Sequence, residues 1–513
     1  MKIAVMQING ERVDVDVMPE MTIGDLKQKL KALQPSSDKV IRRITVVELL
    51  LEGKKQEEDE LTLGQLGLSL DSNVLVLFTM NAVVAASKES SGRAAQELVA
   101  VHIPEEIHQI EHNAFQECSL LELVSMPSSV HQIGLEAFAG CMSLTRVTLP
   151  DSLKAIRANA FSGCTSLRTL DIPNSVTEIG DEAFKGCSSL VSVAIPEFLR
   201  MIGSEVFANC RSLRSVTFSD VTEIGHGAFS GCSSLQNLSL PDSLIDIGES
   251  AFFACTSLAT LWIPRQTASI GQKAFQLCSS LTSLSIPESV ARIGPCAFSG
   301  CHSLKTLTIP KLTEIEDSIF RNCSSLAHVI IPDSATRIGP SAFSECPCLT
   351  DIAIPDHVTC IADFAFYDCQ CLHSVTLPDS VREIGQGAFF DCAKLRSITI
   401  PKGVSEIKPG TFNGCCSLRS VTIPGLVTSI GEAAFQRCSS LTSLDIPESV
   451  VRVEDLAFAG CTSLSSVTAG KSTEISSNAF EGCTFDVDLS PVDLSPVTLV
   501  RIHKRTKKKR RRP

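Results

Sequence analysis

The chain has 513 residues, 20% of them charged, with a formal net charge of −12. The last thirteen residues hold nine Lys or Arg and no acid, so taking those nine away leaves −21 on residues 1–500. An acidic body argues against a protein built primarily to bind nucleic acid, and no apolar run reaches the length of a membrane span. The N-terminus lacks a basic segment followed by an apolar stretch. Together with the cysteine usage described below, this points to a reducing, cytoplasmic or nuclear interior with free thiols.

In chain order, residues 1–80 come first and carry no repeat. Met1–Val17 is two alternating runs around Asn9-Gly10, a strong hairpin signal. Thr22–Leu30 reads as a helix, with Thr22 as N-cap and Ile23, Leu26 and Leu30 on one face. Later strands are expected over 44–51 and 73–78, with Leu61–Leu68 between them. This order of elements, with Gly10, Leu50-Leu51-Glu52-Gly53-Lys54 and Thr62-Leu63 at matching places, resembles the ubiquitin-like β-grasp. The resemblance implies an α+β domain whose apolar recognition patch falls on Ile8, Leu50 and Leu77. The alternative for these three is plain strand packing. One departure matters: Val76-Leu77-Phe78 runs on into Thr79-Met80-Asn81-Ala82 with no terminal Gly-Gly. That removes a conjugating role and leaves an integral docking domain. Residues 81–97 read as a linker.

From residue 98 to residue 487 the chain repeats. Phe-x-x-Cys occurs seventeen times, from Phe115 to Phe480, with thirteen steps of 23 residues and three of 22. A fixed period in this range signals a solenoid. Each copy reads I-G-x-x-A-F-x-x-C-x-S-L-x-x-V-x-I-P-x-S-V. Its Leu-x-x-Val-x-Ile part alternates as a short strand that proline ends, and its Ile-Gly-x-x-Ala-Phe part has room for one helical or 3₁₀ turn. A single copy buries nothing, whereas stacking aligns Leu, Val, Ile and Phe into a continuous core. Register, proline, Ala-Phe and Cys together resemble the BspA-type leucine-rich repeat. The resemblance implies an α/β solenoid of about 17 coils whose concave face, lined by strands, holds other molecules.

With Leu, Val and Ile pointing inward, the third and fifth strand positions face outward. They form a strip of small hydroxyls, broken by Trp262 and by Ile330 beside His328. Trp is the type most enriched at binding hot spots, although Trp262 covering a neighbouring strand is the plainer alternative. Of the 22 cysteines, seventeen belong to the repeat and act as small buried hydrophobes. Cys296, Cys348, Cys360, Cys371 and Cys416 do not. Cys346-x-Cys348 and Cys369-x-Cys371 stand one repeat apart, which allows a bridge, a zinc site or four independent thiols.

After Cys483 the pattern loosens, and residues 488–513 read as an exit segment and a disordered basic tail. Lys504, Arg505, Lys507, Lys508, Lys509, Arg510, Arg511 and Arg512 suit an import receptor, with phosphate contact or a merely solvated tail as alternatives. No histidine pair, phosphate loop or nucleophile elbow is present, so neither an enzyme nor a cofactor is expected. The expectation is a monomeric protein–protein adaptor. Its ubiquitin-like domain would dock to a ubiquitin receptor or proteasome subunit while the solenoid holds a client protein. A surface adhesion protein and a nuclear nucleic-acid-associated protein are the competing readings.

Overall fold

The computed structural model describes residues 2–6, 12–16, 48–51, 54–55, 75–77, 100–103, 105–487, 498–499 and 502–504. Side chains are described for 101, 103, 105–236 and 238–484. The expected helix over Thr22–Leu30, the patch residue Ile8 and the basic positions Arg505 to Arg512 lie outside the described residues. The chain forms two compact units, residues 1–241 and 242–513.

In residues 1–241, Lys2–Met6 pairs antiparallel with Arg12–Asp16, joining Met6 to Arg12 in register. Glu48–Leu51 pairs antiparallel with Lys54–Lys55 on one side and Leu75–Leu77 on the other. Leu50 and Leu77 are strand residues of this small sheet. From Ala100–His102 to Asn237–Ser239, seven three- or two-residue strands then stack parallel in chain order. Each supplies Val or Leu to the core, and Ser192-Val193-Ala194 shows the pattern, with its flanking residues exposed.

Every coil adds a second, shorter ladder, such as Ala155–Ile156 against Glu178–Ile179. The third side holds Phe and Cys, and here the structure departs from the expected helical turn. Among the described residues there is no helix, so each coil is strand, strand and a chain of turns, and the solenoid there is β rather than α/β. The cause is an alternation in the backbone. The amides of Asn113, Phe115 and Glu117 donate to the next coil, at Leu135, Ala137 and Ala139, while those of Ala114, Gln116 and Cys118 fold back three residues. Left-handed φ at Asn113 (59°) and Glu117 (61°) makes the alternation possible and breaks any helical run.

In residues 242–513 the same coil continues, from Thr260–Trp262 paired with Ser283–Ser285 to Ser443–Asp445 paired with Ser466–Ala469. The parallel progression ends there. Thr498–Leu499 runs antiparallel on Thr468 and Ala469, and Ile502–Lys504 on Phe485–Val487. Lys504, expected in a disordered tail, therefore has a paired backbone. This returning segment covers an edge that would otherwise offer free amides and carbonyls.

The core is a set of stacked rows. Phenylalanine rings follow one another with centroids 5.1 to 5.8 Å apart and planes within 3° to 17° of parallel. Beside them the repeat thiols do more than fill space. Many donate to the carbonyl of the preceding coil's phenylalanine, as Cys141 does to Phe115 at 3.1 Å and Cys301 to Phe275 at 3.5 Å. Serine in Pro-x-Ser-Val has a parallel role. The hydroxyls of Ser129, Ser152 and Ser175 each donate over 2.7 Å to a carbonyl one coil earlier. The rows thus repeat polar residue types for a hydrogen-bonding reason.

Candidate interaction face

The outward side of the longer ladder holds Trp262, His328 and Ile330, whereas Leu50 and Leu77 lie in the separate N-terminal sheet. Thr260, Trp262, Ser283, Ser285, Thr306, Thr308, His328, Ile330, Asp351 and Ala353 are all exposed, while Leu261, Leu307, Val329 and Ile352 between them are buried. Register pairs Trp262 with Ser285 and Ile330 with Thr308, so both stand in the fifth-position column. At the usual spacing of about 4.8 Å per strand, the three steps between them span roughly 14 Å. Trp262 is 65% exposed and Ile330 63%. The indole does not shelter against a neighbouring strand; it stands in solvent. His328, in the adjacent column, places Nδ1 3.8 Å from Asp351 Oδ1 of the next coil, a contact that becomes an ion pair when the imidazole is protonated. The face therefore offers two apolar anchors, one titratable pair and a bed of hydroxyls and small side chains.

Other surface features escaped the sequence reading. Phe198 and Met201 are 60% and 53% exposed in residues 1–241. Their signal was available: Phe198 fills the position that Ser152 and Ser175 occupy in neighbouring coils. Leu426 and Val451 are likewise exposed in the second unit. A hollow of about 280 Å³ in the first unit is lined by Arg168, Ser189, Val191, Ser212, Arg214 and Ser234.

The four-thiol zinc arrangement does not assemble. Cys346 and Cys369 point into the core, with their sulfurs on the carbonyls of Phe320 and Phe343, and burial pushes the Cys346 thiol up to about 12. Cys348 is exposed and Cys371 half-buried. Among the described residues no group of three or more His, Cys, Asp or Glu is placed to hold a metal ion. No helix among them is long and apolar enough to cross a membrane.

A flank of the second unit carries a polar chain across coils. Glu383 accepts from Lys408 Nζ at 2.6 Å, which holds its carboxyl below the usual range and raises the ammonium. Cys360 lies between Glu383, at 3.5 Å, and Arg337, at 3.9 Å. Such exposed pairs tie neighbouring coils only weakly.

A stack of short strands with an aliphatic and aromatic core and an exposed small-residue face defines a leucine-rich repeat β-solenoid, here of about 16 turns. Comparison with family models gives the particular family. The BspA type Leucine rich repeat region matches over residues 94–214, 154–282, 200–327, 268–392 and 359–486. The chain belongs to this family. A leucine-rich repeat protein from Bacteroides ovatus is similar at 29% identity and a TM-score of 0.58, covering 80% of this chain and 96% of its own. A leucine rich cell surface protein from Faecalibacterium prausnitzii shares 27% identity over 63% of this chain and 87% of its own, with a TM-score of 0.40. A leucine-rich repeat protein from Eubacterium ventriosum shares 21% over 62% and 90%, with a TM-score of 0.46. No curated protein matches the sequence.

Proposed function

We propose that this protein is a non-enzymatic scaffold that holds a partner protein against the outward strand face of residues 242–513, with Trp262 and Ile330 as anchors and His328 beside them. The observation that carries the reading is the exposure of these two large apolar side chains in one column of an otherwise small, hydroxyl-rich face. Hot spots cluster on such aromatic and aliphatic anchors. Neither anchor supports the core, so Trp262→Ala and Ile330→Ala should leave stability within about 0.5 kcal/mol. Each should weaken partner capture by the full chain at least tenfold. Capture unchanged in both variants would move the binding surface elsewhere.

The finer reading gives the N-terminal eighty residues a ubiquitin-like fold that docks to a ubiquitin receptor or proteasome subunit through Leu50 and Leu77, with Ile8 as the third member. The antiparallel pairing of Lys2–Met6 with Arg12–Asp16, and of Glu48–Leu51 with Leu75–Leu77, supports it. The basic segment from Lys504 to Arg512 then serves an import receptor, and the protein works in the cytoplasm or nucleus. Full-length chain and Leu50→Ala should differ in recovery of such receptors; equal recovery removes the docking role. The competing adhesion reading predicts labelling on intact cells by an impermeable amine reagent, which the intracellular reading excludes.

A further inference from the structure

We propose that Cys348 and Cys371 are a modification site: an intramolecular, reversible disulfide that clips two adjacent coils at the solvent edge. Both occupy the residue before the buried leucine of their coil, Leu349 and Leu372, where the flanking coils place Ser325 and Lys394. The coils are in register at this turn, since the Cys371 amide donates to the Pro347 carbonyl at 3.2 Å. Equivalent positions of stacked coils lie about 4.8 Å apart, within the roughly 4.4–6.8 Å between Cα atoms that a disulfide spans. Cys348 is exposed, Cys371 is half-buried, and both are free thiols.

The other cysteines show why this pair stands apart. Cys346 and Cys369 are stacked in the same way, but they are buried and donate to the carbonyls of Phe320 and Phe343. Oxidants do not reach them. Cys416 is exposed, yet Ala393 and Ser439 fill its position in the flanking coils. Cys360 stacks between Arg337 and Glu383, and the flanking coils offer Cys296 only Lys273 and Ser318. Lys394, from the coil after Cys371, brings Nζ to 3.4 Å from the Cys371 sulfur. This sets a positive charge beside a sulfur that carries negative charge when it attacks.

The co-reactant is a low-molecular-weight disulfide. The Cys371 sulfur attacks it, releasing one small thiol and forming a mixed disulfide. The Cys348 sulfur then attacks the Cys371 sulfur and releases the second small thiol. Two cysteine thiols are oxidised to one S–S bond, the small disulfide is reduced to two thiols, and the two cysteine protons end on the released thiols.

The test uses the full-length chain with oxidised glutathione, followed by alkylation and non-reducing peptide mass spectrometry after cleavage between the two cysteines, for example at Phe364. The expected result is a Cys348–Cys371 cross-link within one chain, with glutathione retained on Cys416. In Cys371→Ser, Cys348 should retain glutathione as Cys416 does. In Lys394→Gln, cross-linking should slow by roughly threefold or more, following the loss of the charge beside the attacking sulfur. Separate glutathione adducts on Cys348 and Cys371, or a bridge between two chains, would overturn the proposal. An unchanged rate in Lys394→Gln would contradict Cys371 as the attacking sulfur.

Discussion

Phe298 has its ring stacked 5.5 Å from Phe275 and 5.8 Å from Phe320 and is fully buried. Truncating a buried phenylalanine to alanine costs about 3–5 kcal/mol. In a stack where each coil touches only its neighbours, that loss should stay local. Hydrogen exchange of Phe298→Ala should show deprotected amides in the flanking coils and unchanged ones near Phe412; uniform loss would contradict nearest-neighbour stability. The thiols beside the rings give a pH prediction. Burial raises Cys187, Cys232 and Cys278 to about 12 in the folded chain, against about 8.5 in an unfolded one. The protonated thiol is thus favoured by folding. Its contribution is complete below the unfolded value and is lost as pH rises from about 8.5 toward 12. Alkaline titration followed by circular dichroism should show stability falling across that window, and a serine at Cys187 should not reproduce its share of the fall. The Phe-x-x-Cys period made these rows legible without coordinates. The donation from thiol to phenylalanine carbonyl was not legible, because spacing reports burial and not which lone pair a buried donor meets.

At the scale of the coil, two kinds of position behave differently. The strand alternation is visible in the sequence and in the structure alike, since Val or Leu packs inward while Ser, Thr and Trp262 face out. The turn chain was hidden. Its left-handed residues include Glu182, Glu205, Lys273 and Leu277, none of which advertises positive φ as glycine does. Neighbouring hydrogen bonds impose that conformation. Glycine matters at another point, after the short strand, where coils approach closely. A Cβ on Gly271 would lie 2.5 Å from the Glu249 amide nitrogen and 2.6 Å from the Gly248 carbonyl carbon. Backbone atoms there have nowhere to go, so Gly271→Ala should cost about 1–3 kcal/mol. A thermal melt no different from wild type would show that the coils can part at little cost.

For the whole molecule, stability built from repeated units makes a prediction about length. Excising residues 374–396, one full period of 23 residues from the second unit, should join equivalent positions and leave a folded, cooperative chain. Excising 374–384 alone removes half a coil and puts every later row out of register. Limited proteolysis separates the two outcomes, and equal resistance would contradict the row-by-row account. The candidate face was legible to the extent that it deviates from the repeat. Trp262, His328 and Ile330 stand out because they interrupt a strip of hydroxyls, whereas Phe198, on a turn, and Met201, in the shorter ladder, lie outside that strip.

The measurement closest to the central claim is quantitative capture of one defined partner by the full chain, run in parallel with Trp262→Ala, Ile330→Ala and Leu426→Ala. Leu426 is as exposed as the two anchors, at 60%, but lies outside the strand face. The account predicts that the first two variants lose the partner at unchanged melting temperature while the third retains it. Retention by all three, or equal loss in all three, would contradict a binding face on the strands of residues 242–513.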